Sequence, residues 1–221
     1  MNEYNLQLKN SFNSWSQSYE SETIPKLVAR GYSYCELGKR IAGFIKTINK
    51  ENITILELGV GTGVLGANVV EALNCNYELI GLDISEGMID IANKKNIYNS
   101  IHCSSADDYN YDTNVDCIFT GFMFHSILNQ VMLLQKLEKC INNNGLFILI
   151  DLIPENKYDN SYLREHSSKY EYGAPQNYKT NQELLSYFFE TNLELVYLEK
   201  LGYEKEFNHY MYVLKKKAKG E

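Results

Sequence analysis

The segment Ile55-Leu56-Glu57-Leu58-Gly59-Val60-Gly61-Thr62-Gly63 limits the possible folds of this chain more than any other. An apolar run typical of a buried strand ends in three alternating glycines, and a helical pattern follows at residues 65–73. Glycines let the backbone approach a ligand closely, and the free N–H groups at the start of a helix attract anionic or polar atoms. The segment therefore predicts a strand, a ligand-binding loop and a helix.

The same alternation of strand and helix continues towards the C-terminus. Strands are predicted at 53–58, 77–83, 100–103, 115–120 and 145–152, and helices at 65–73, 86–94 and 130–141. Such alternation is typical of right-handed crossovers in a mostly parallel sheet that is covered on both faces. Before it, residues 6–19 and 34–48 have helical periodicity, which predicts N-terminal helices packed on that sheet.

The last part of the chain breaks the alternation. A helix at 182–189 precedes two strand-like runs, 193–201 and 207–214, separated only by a polar turn at 202–204. Two strands so close in sequence cannot be parallel neighbours, so an antiparallel hairpin is predicted. The fold class is therefore α/β: a doubly wound, mostly parallel seven-stranded sheet with a C-terminal antiparallel hairpin and N-terminal helices.

Composition excludes several classes of function. The net charge is −7, from 28 acidic and 21 basic residues, so extended binding to nucleic-acid phosphates is not expected. The five cysteines never form a Cys-x-x-Cys pair, and the histidines have no metal-ligand spacing, which favours a reducing cytoplasm and predicts no metal site. The N-terminus is polar, and no stretch approaches the ~20 apolar residues of a membrane span. We expect a cytoplasmic protein that binds neither nucleic acid nor membranes.

Two acidic residues indicate the ligand of the glycine loop. Asp83 ends the second predicted strand, where a carboxylate can accept both hydroxyls of a ribose, so an adenosine ligand is expected. Residues 61–66 also satisfy the dinucleotide fingerprint, which leaves NAD and S-adenosylmethionine as alternatives. Glu57 favours the second, because a carboxylate beside the loop would repel a pyrophosphate and attract the ammonium of a methionine group.

With these residues the sequence resembles the class I S-adenosylmethionine-dependent methyltransferases of small-molecule type, over nearly the whole chain. Glu57 to Gly63 matches the family signature E-x-G-x-G-x-G, and residues 83–88 match its second motif. The opening helix of the family commonly has the pattern of Phe12, Trp15, Tyr19 and Glu20. The resemblance implies S-adenosylmethionine as cofactor and S-adenosylhomocysteine as product.

The resemblance also implies roles for the loop residues. Glu57 would hold the methionine amino group, Gly59, Gly61 and Gly63 would line the methionine portion, and Asp83 would bind the ribose. Tyr19 would lie beside the cofactor, where the opening helix is a candidate lid.

At the adenine end, Ile84 and Met88 would sandwich the ring. The family often has Gly-Asp-Ala before the fourth strand, and this chain has Ser104-Ser105-Ala106-Asp107-Asp108 instead. Ala106 would contact the adenine, and either Ser105 or Asp107 would bind its amino group.

Thr120 and the residues that follow it occupy the segment that flanks the transferring methyl group in this family. They lack the Asn/Asp-Pro-Pro-Tyr/Phe tetrapeptide that grips amide or base nitrogens, which disfavours protein and DNA substrates. His125 is the first candidate for a catalytic base, with a structural histidine as the alternative. His166, in a tyrosine-rich segment at 154–180, is the second.

The predicted organisation is one domain. Residues 1–50 form the helices and candidate lid, 51–153 the cofactor-binding core, 154–180 a substrate-lid insertion and 181–221 the last helix and hairpin. The expected function is methyl transfer from S-adenosylmethionine to an oxygen or nitrogen of a small organic molecule. An NAD-dependent oxidoreductase and a non-catalytic S-adenosylmethionine-binding regulatory protein are the alternatives.

Overall fold

One twisted sheet forms the centre of the protein. The computed structural model describes residues 1–154, 174–203 and 207–217. The strands in these ranges are β1 (Asn52–Leu58), β2 (Asn76–Asp83), β3 (Ser100–Cys103), β4 (Val115–Gly121), β5 (Ile141–Pro154), β6 (Leu193–Tyr203) and β7 (Phe207–Lys216). These seven strands of the described residues lie in the order β3-β2-β1-β4-β5-β7-β6. The first five pair in parallel and β7 is antiparallel to both its neighbours, which confirms the predicted fold class.

The predicted helices are present, and a further helix at Tyr19–Ala29 was not predicted. They are α1 (Glu3–Trp15), α2 (Tyr19–Ala29), α3 (Tyr34–Lys46), α4 (Val64–Ala72), α5 (Glu86–Asn93), α6 (Gln130–Cys140) and α7 (Asn181–Phe189). Residues 6–19 were expected to be one helical segment, but α1 ends at Trp15 and Tyr19 begins α2. Asn2 caps α1 through Asn5 N–H, and Ser33 and Glu36 form a capping box at α3.

Both faces of the sheet are buried under helices. Leu56 and Leu58 of β1 belong to a core that α6 and α7 complete, whereas Ile53 and Ile55 belong to a core completed by α2, α3 and α4. Because side chains alternate along a strand, Glu57 lies on the same face as Ile55, the face that α4 covers.

The C-terminal hairpin differs from the prediction in its turn. Gly202 and Tyr203, expected in the turn, belong to β6, where they pair with His209 and Asn208, while Glu204 lies outside the described residues. A Cβ at Gly202 would lie 2.7 Å from the carbonyl oxygen of Arg30. This glycine therefore permits close packing of β6 on the end of α2.

The predicted insertion at 154–180 falls mostly on residues 155–173, which lie outside the described ranges, and His166 lies there too. Residues 174–180 are described, and Asn177 is hydrogen-bonded to His125, Ile127 and Leu128, which follow β4. In the described residues, no helix has the length and apolar character needed to cross a membrane.

Candidate active site

The glycine loop has the backbone geometry that its sequence predicts. Gly59, Gly61 and Gly63 have φ values of 69°, 53° and 78°, in the left-handed region that favours glycine. The Gly59 N–H donates to Leu82 O at 2.8 Å, which ties the loop to the end of β2. Gly63 begins α4 as its N-cap. The loop therefore lies at the carboxyl edge of the sheet, between β1 and β2.

Asp83 connects this loop to the second motif. The carboxylate is buried and accepts the Gly61 N–H at 2.7 Å and the Ser85 N–H at 2.8 Å. Burial raises the pKa of this carboxyl, and the backbone hydrogen bonds oppose that rise. Ser85, not Asp83, caps α5, since its hydroxyl accepts the Met88 N–H at 3.1 Å.

Glu57 is buried beneath the loop. Only 1% of its surface is exposed, and its Oε2 accepts the Tyr98 hydroxyl at 2.7 Å. Burial raises the pKa of Glu57 to about 8, although the hydrogen bonds from Tyr98 and the Gly66 backbone oppose the rise. A Cβ at Gly66 would lie 2.3 Å from the same oxygen, so α4 packs directly on the carboxyl group.

A cleft opens above the glycine loop. The predicted site residues in its lining from the loop and second motif are Tyr19, Gly59, Gly61, Asp83, Ile84 and Met88, and those before β4 are Ser105, Ala106 and Asp107. The other three predicted cofactor residues, Glu57, Gly63 and Thr120, do not line it. Their proposed contacts with a cofactor stay predictions.

Helix α1 forms part of the cleft lining, and the opening-helix pattern had named only one of its lining residues, Phe12. Asn5, Leu8 and Phe12 line the cleft, and the Asn5 amide donates to Ser105 Oγ at 3.1 Å. Asn13 Oδ1 accepts the Ser85 hydroxyl at 2.7 Å and the Gly87 N–H at 3.0 Å. The sequence signal for these contacts is weak, because asparagines on a helix are ordinarily exposed to solvent.

The opposite wall is formed by residues 121–127, which we call the β4 wall. Phe122, Met123, Ser126 and Ile127 line the cleft from it. Phe122 has φ of 59°, unusual for a bulky residue, and its N–H donates to Ile150 O at 2.8 Å. Such strain is concentrated at functional sites. Met123 packs on the glycine loop, since a Cβ at Gly59 would lie 2.5 Å from its Cγ.

His125 lies in the β4 wall within the 3-10 turn Phe124–Ser126, buried and outside the cleft lining. Its Nδ1 is 2.5 Å from Asp151 Oδ1, and its backbone N–H donates to Asp151 Oδ2 at 2.8 Å. The ring stacks on Tyr178, with centroids 4.8 Å apart, and Asn177 N–H donates to His125 O. The sequence did not predict these partners, which come from β5 and residues 174–180.

The remaining two described histidines are elsewhere. His102 is exposed on β3 and His209 is buried on β7, where the Tyr32 hydroxyl contacts its Nδ1. Burial lowers the pKa of His209 to about 3, so its imidazole is neutral. Within the described ranges, no group of three or more His, Cys, Asp or Glu side chains could hold a metal ion.

Comparisons with known proteins give the family and the fold. A family described as a methyltransferase domain matches residues 29–205. An uncharacterized methyltransferase of Schizosaccharomyces pombe is 26% identical over a 117-residue alignment, and the match covers 47% of this chain and only 40% of that relative.

Two solved structures are similar in fold. The plantazolicin methyltransferase in complex with S-adenosylhomocysteine has a TM-score of 0.65 at 16% identity, and the match covers 97% of each chain. Magnesium protoporphyrin IX methyltransferase from Synechocystis, also with S-adenosylhomocysteine bound, has a TM-score of 0.72 at 10% identity, over 97% of this chain and all of that one.

Proposed function

We propose, because the chain belongs to the class I S-adenosylmethionine-dependent methyltransferases, that it transfers a methyl group from S-adenosylmethionine to an oxygen or nitrogen of a small organic molecule. S-adenosylhomocysteine is the product. The cofactor carries an already activated methyl group, so the chain's own task is to align donor and acceptor, exclude water and accept a proton.

One observation carries this proposal. The Gly61 N–H donates to Asp83, so the loop and the acid that the sequence singled out line one cleft from adjacent strands. A carboxylate held by two backbone N–H groups keeps lone pairs for the two ribose hydroxyls. The cleft lies where the strand order reverses between β1 and β4, the position at which doubly wound sheets bind ligands.

The adenine amino group needs an acceptor, and the two candidates differ. Ser105 Oγ already accepts the Asn5 amide and the Asp108 N–H, which occupy both its lone pairs. The Asp107 carboxylate lines the cleft and makes no hydrogen bond within the described part of the chain. We therefore assign the amino group to Asp107, with Ile84 and Met88 on the faces of the ring.

Glu57 has a buried carboxyl group for the methionine ammonium. The cationic group would favour the charged carboxylate and lower the raised pKa of Glu57. Since Glu57 is beneath the loop and not in the cleft lining, its attraction would act from below Gly59.

His125 is the proposed base for an acceptor that must lose a proton. Asp151 holds the Nδ1 side of the imidazole, and Nε2 is the ring atom that would accept the proton. His166 stays a second candidate outside the described residues.

Calorimetric titration of the purified chain with S-adenosylmethionine, S-adenosylhomocysteine and NADH tests the proposal. We expect both sulfur compounds to bind and NADH not to bind. Binding of NADH alone would instead support the oxidoreductase alternative. Binding of the sulfur compounds without methyl transfer to any tested phenol, amine or carboxylate would favour a non-catalytic regulatory protein.

A further inference from the structure

Tyr98 contacts Glu57 beneath the glycine loop but lies outside both sequence motifs. It is between α5 and β3, and its hydroxyl donates to Glu57 Oε2 at 2.7 Å. Two glycines make room for this side chain. A Cβ at Gly66 of α4 would lie 2.6 Å from the Tyr98 hydroxyl oxygen, and a Cβ at Gly81 of β2 would lie 3.2 Å from its Cδ1. Tyr98 is therefore packed closely against both the Glu57 carboxyl group and the helix that follows the loop.

The surroundings of Glu57 favour an uncharged carboxyl group in the free protein. Burial from water is the largest effect on its charge, and the Asp83 carboxylate at the end of β2 adds to it. The Tyr98 hydroxyl and the Gly66 backbone N–H act in the opposite direction, and on the β4 side the neighbour of Glu57 is the apolar Phe119. Together these effects raise the pKa of Glu57 to about 8, so the carboxyl group holds a proton at neutral pH.

Tyr98 acts on Glu57 as a hydrogen-bond donor and supplies no charge. Burial and the neighbouring Glu57 raise the pKa of the Tyr98 hydroxyl, so it keeps its proton. A hydroxyl bonds to either form of Glu57, but a hydrogen bond to a charged carboxylate is about twice as strong as one to a neutral group. Tyr98 therefore holds the carboxyl group in place and makes its ionisation easier.

A cationic group in the cleft would favour the charged form of Glu57. Gly59 lines the cleft, two residues after Glu57 in the chain. Attraction between unlike charges is strong at such a place, because little water screens a buried carboxylate. A ligand with an ammonium group at Gly59 therefore favours the carboxylate, and a ligand without one leaves Glu57 protonated.

We propose that Tyr98 is a positioning residue that holds a protonated Glu57 beneath Gly59, and that each bound S-adenosyl cofactor expels this proton. The inference rests on the proposed function, which assigns the methionine ammonium to Glu57. The O–H bond of the Glu57 carboxyl group breaks, its electron pair stays on the carboxylate, and the proton goes to solvent. The ammonium and Tyr98 keep their own protons. The site thereby distinguishes cofactors that carry an amino-acid group from adenosine compounds that lack one.

Calorimetry in two buffers counts the protons. S-adenosylhomocysteine is titrated into the chain at pH 7 in phosphate and in imidazole, and the difference in apparent enthalpy gives the protons released, because the two buffers differ in ionisation enthalpy. The sulfur of this ligand is uncharged, so the ammonium is its cationic group. We expect release of roughly 0.5–0.9 protons per ligand, and binding about 3–10-fold tighter at pH 7 than at pH 6. In this range the ligand amine stays largely charged, since α-amino groups have a pKa of about 8.

Methylthioadenosine is the matched ligand, because it keeps the adenosine and the sulfur and lacks the amino-acid group. We expect it to bind without proton release and with the same affinity at pH 6 and pH 7. Release of as many protons as with S-adenosylhomocysteine would overturn the inference, since an ammonium group would not be the cause.

Two variants identify the source of the proton. Glu57→Gln should bind S-adenosylhomocysteine without releasing one, and release that persists in this variant would overturn the inference. Tyr98→Phe should weaken binding about 5–10-fold. It should also raise, by about one pH unit, the pH below which proton release is lost, because the carboxylate of the complex has lost its donor. Tyr77→Phe, at a partly buried position near the start of β2, should behave as the unaltered chain does.

These results distinguish the inference from the proposed function on which it rests. If S-adenosylhomocysteine binds and no proton is released, the inference fails and the cofactor assignment stands. If neither S-adenosylmethionine nor S-adenosylhomocysteine binds, the proposed function fails. A merely structural tyrosine would affect binding without moving the pH at which proton release is lost. That pH decides the matter also where circular dichroism shows Glu57→Gln to be unfolded or where methylthioadenosine does not bind.

Discussion

Asp83 and Asp151 are both buried carboxylates near the carboxyl ends of parallel strands, yet they organise their surroundings differently. Asp83 accepts backbone N–H groups of Gly61 and Ser85, within one continuous stretch of loop, strand and helix. Asp151 accepts both the backbone N–H and the imidazole of His125, 26 residues earlier in the chain, and the Leu152 N–H. The cofactor end of the cleft, which comprises the glycine loop, Asp83 and the start of α5, is thus formed by residues close together in sequence. The β4 wall is held by segments that are far apart in sequence.

This difference determines what each carboxylate does for the protein. Asp83 orders a loop that glycines already shape, and its own burial opposes the charged form. Asp151 is the group that holds the 3-10 turn onto β5, together with Asn177, whose amide donates to Ile127 O and Leu128 O. We therefore expect Asp83 to matter mainly for ligand affinity and Asp151 also for stability.

The largest expected effect is on stability at Asp151. Asp151→Ala leaves three donors without an acceptor, and we expect it to lower the free energy of unfolding by about 3–5 kcal/mol. Urea denaturation at pH 7 measures this, with the exposed Asp90→Ala as control. A loss below about 1 kcal/mol would show that the β4 wall does not depend on this carboxylate, and the contrast with Asp83 would disappear.

Glu57 is a second buried carboxyl group at the cofactor end, and its burial costs stability. Its pKa rises from 4.5 to about 8 on folding, so the folded state retains a proton that the unfolded state releases. Stability from this group is present below pH 4.5 and is lost as pH rises towards 8. At 1.36 kcal/mol per pH unit, the loss between pH 5 and 8 amounts to at most about 4 kcal/mol.

Glu57→Gln keeps a hydrogen-bond acceptor for Tyr98 and removes the titration. Thermal unfolding of the free protein between pH 5 and 8 should therefore depend less on pH in this variant. Glu71→Gln, at an exposed position of α4, should keep the pH dependence of the unaltered chain. Equal slopes for both variants would mean that Glu57 is ionised throughout this range.

The same contrast explains what the sequence could predict. The mostly parallel sheet, the C-terminal hairpin, the glycine loop and Asp83 follow from local signals: alternating apolar runs, glycines, and an acid after a strand. The other predicted residues of the cleft lining, such as Ile84 and Met88, came from the family resemblance, and their contacts with a cofactor stay predictions. Gly61 and Asp83 were predictable because a glycine loop and a strand-end acid occupy fixed places in one α/β unit.

The β4 wall had no such signal. Asp151 is an acid within an apolar strand, but the sequence does not indicate its partner, because His125 is in a separate turn. The Asn5 amide reaches Ser105 only because α1 folds across the cleft, which helical periodicity does not indicate. The α1–α2 break at residues 16–18 was missed for a similar reason, because Trp15 and Tyr19 are spaced as one helical face.

Asp83→Asn tests how much Asp83 contributes to cofactor binding. The substitution preserves size but removes the charge and one acceptor oxygen from the ribose site, and each lost charged hydrogen bond contributes about 1.5–3 kcal/mol. We expect S-adenosylmethionine affinity to fall at least tenfold by calorimetry. The free energy of unfolding should fall by about 1–3 kcal/mol, less than in Asp151→Ala, because the new amide NH2 faces the backbone N–H of Gly61 or Ser85. Asp90→Asn should retain full affinity, and a similar affinity in Asp83→Asn would remove Asp83 from the ribose site.

The smallest expected effect concerns α1, which lines the cleft although it is distant in sequence from the glycine loop. Asn5→Ala removes a neutral hydrogen bond to Ser105, so S-adenosylmethionine binding should weaken by about 1 kcal/mol, or roughly fivefold. Asn10→Ala, on the exposed side of the same helix, is the matched control for helix propensity. Equal affinities in the two variants would show that α1 covers the cleft without supporting the cofactor. The affinity for S-adenosylmethionine would then depend on residues 57–107, which are close together in sequence, and not on α1.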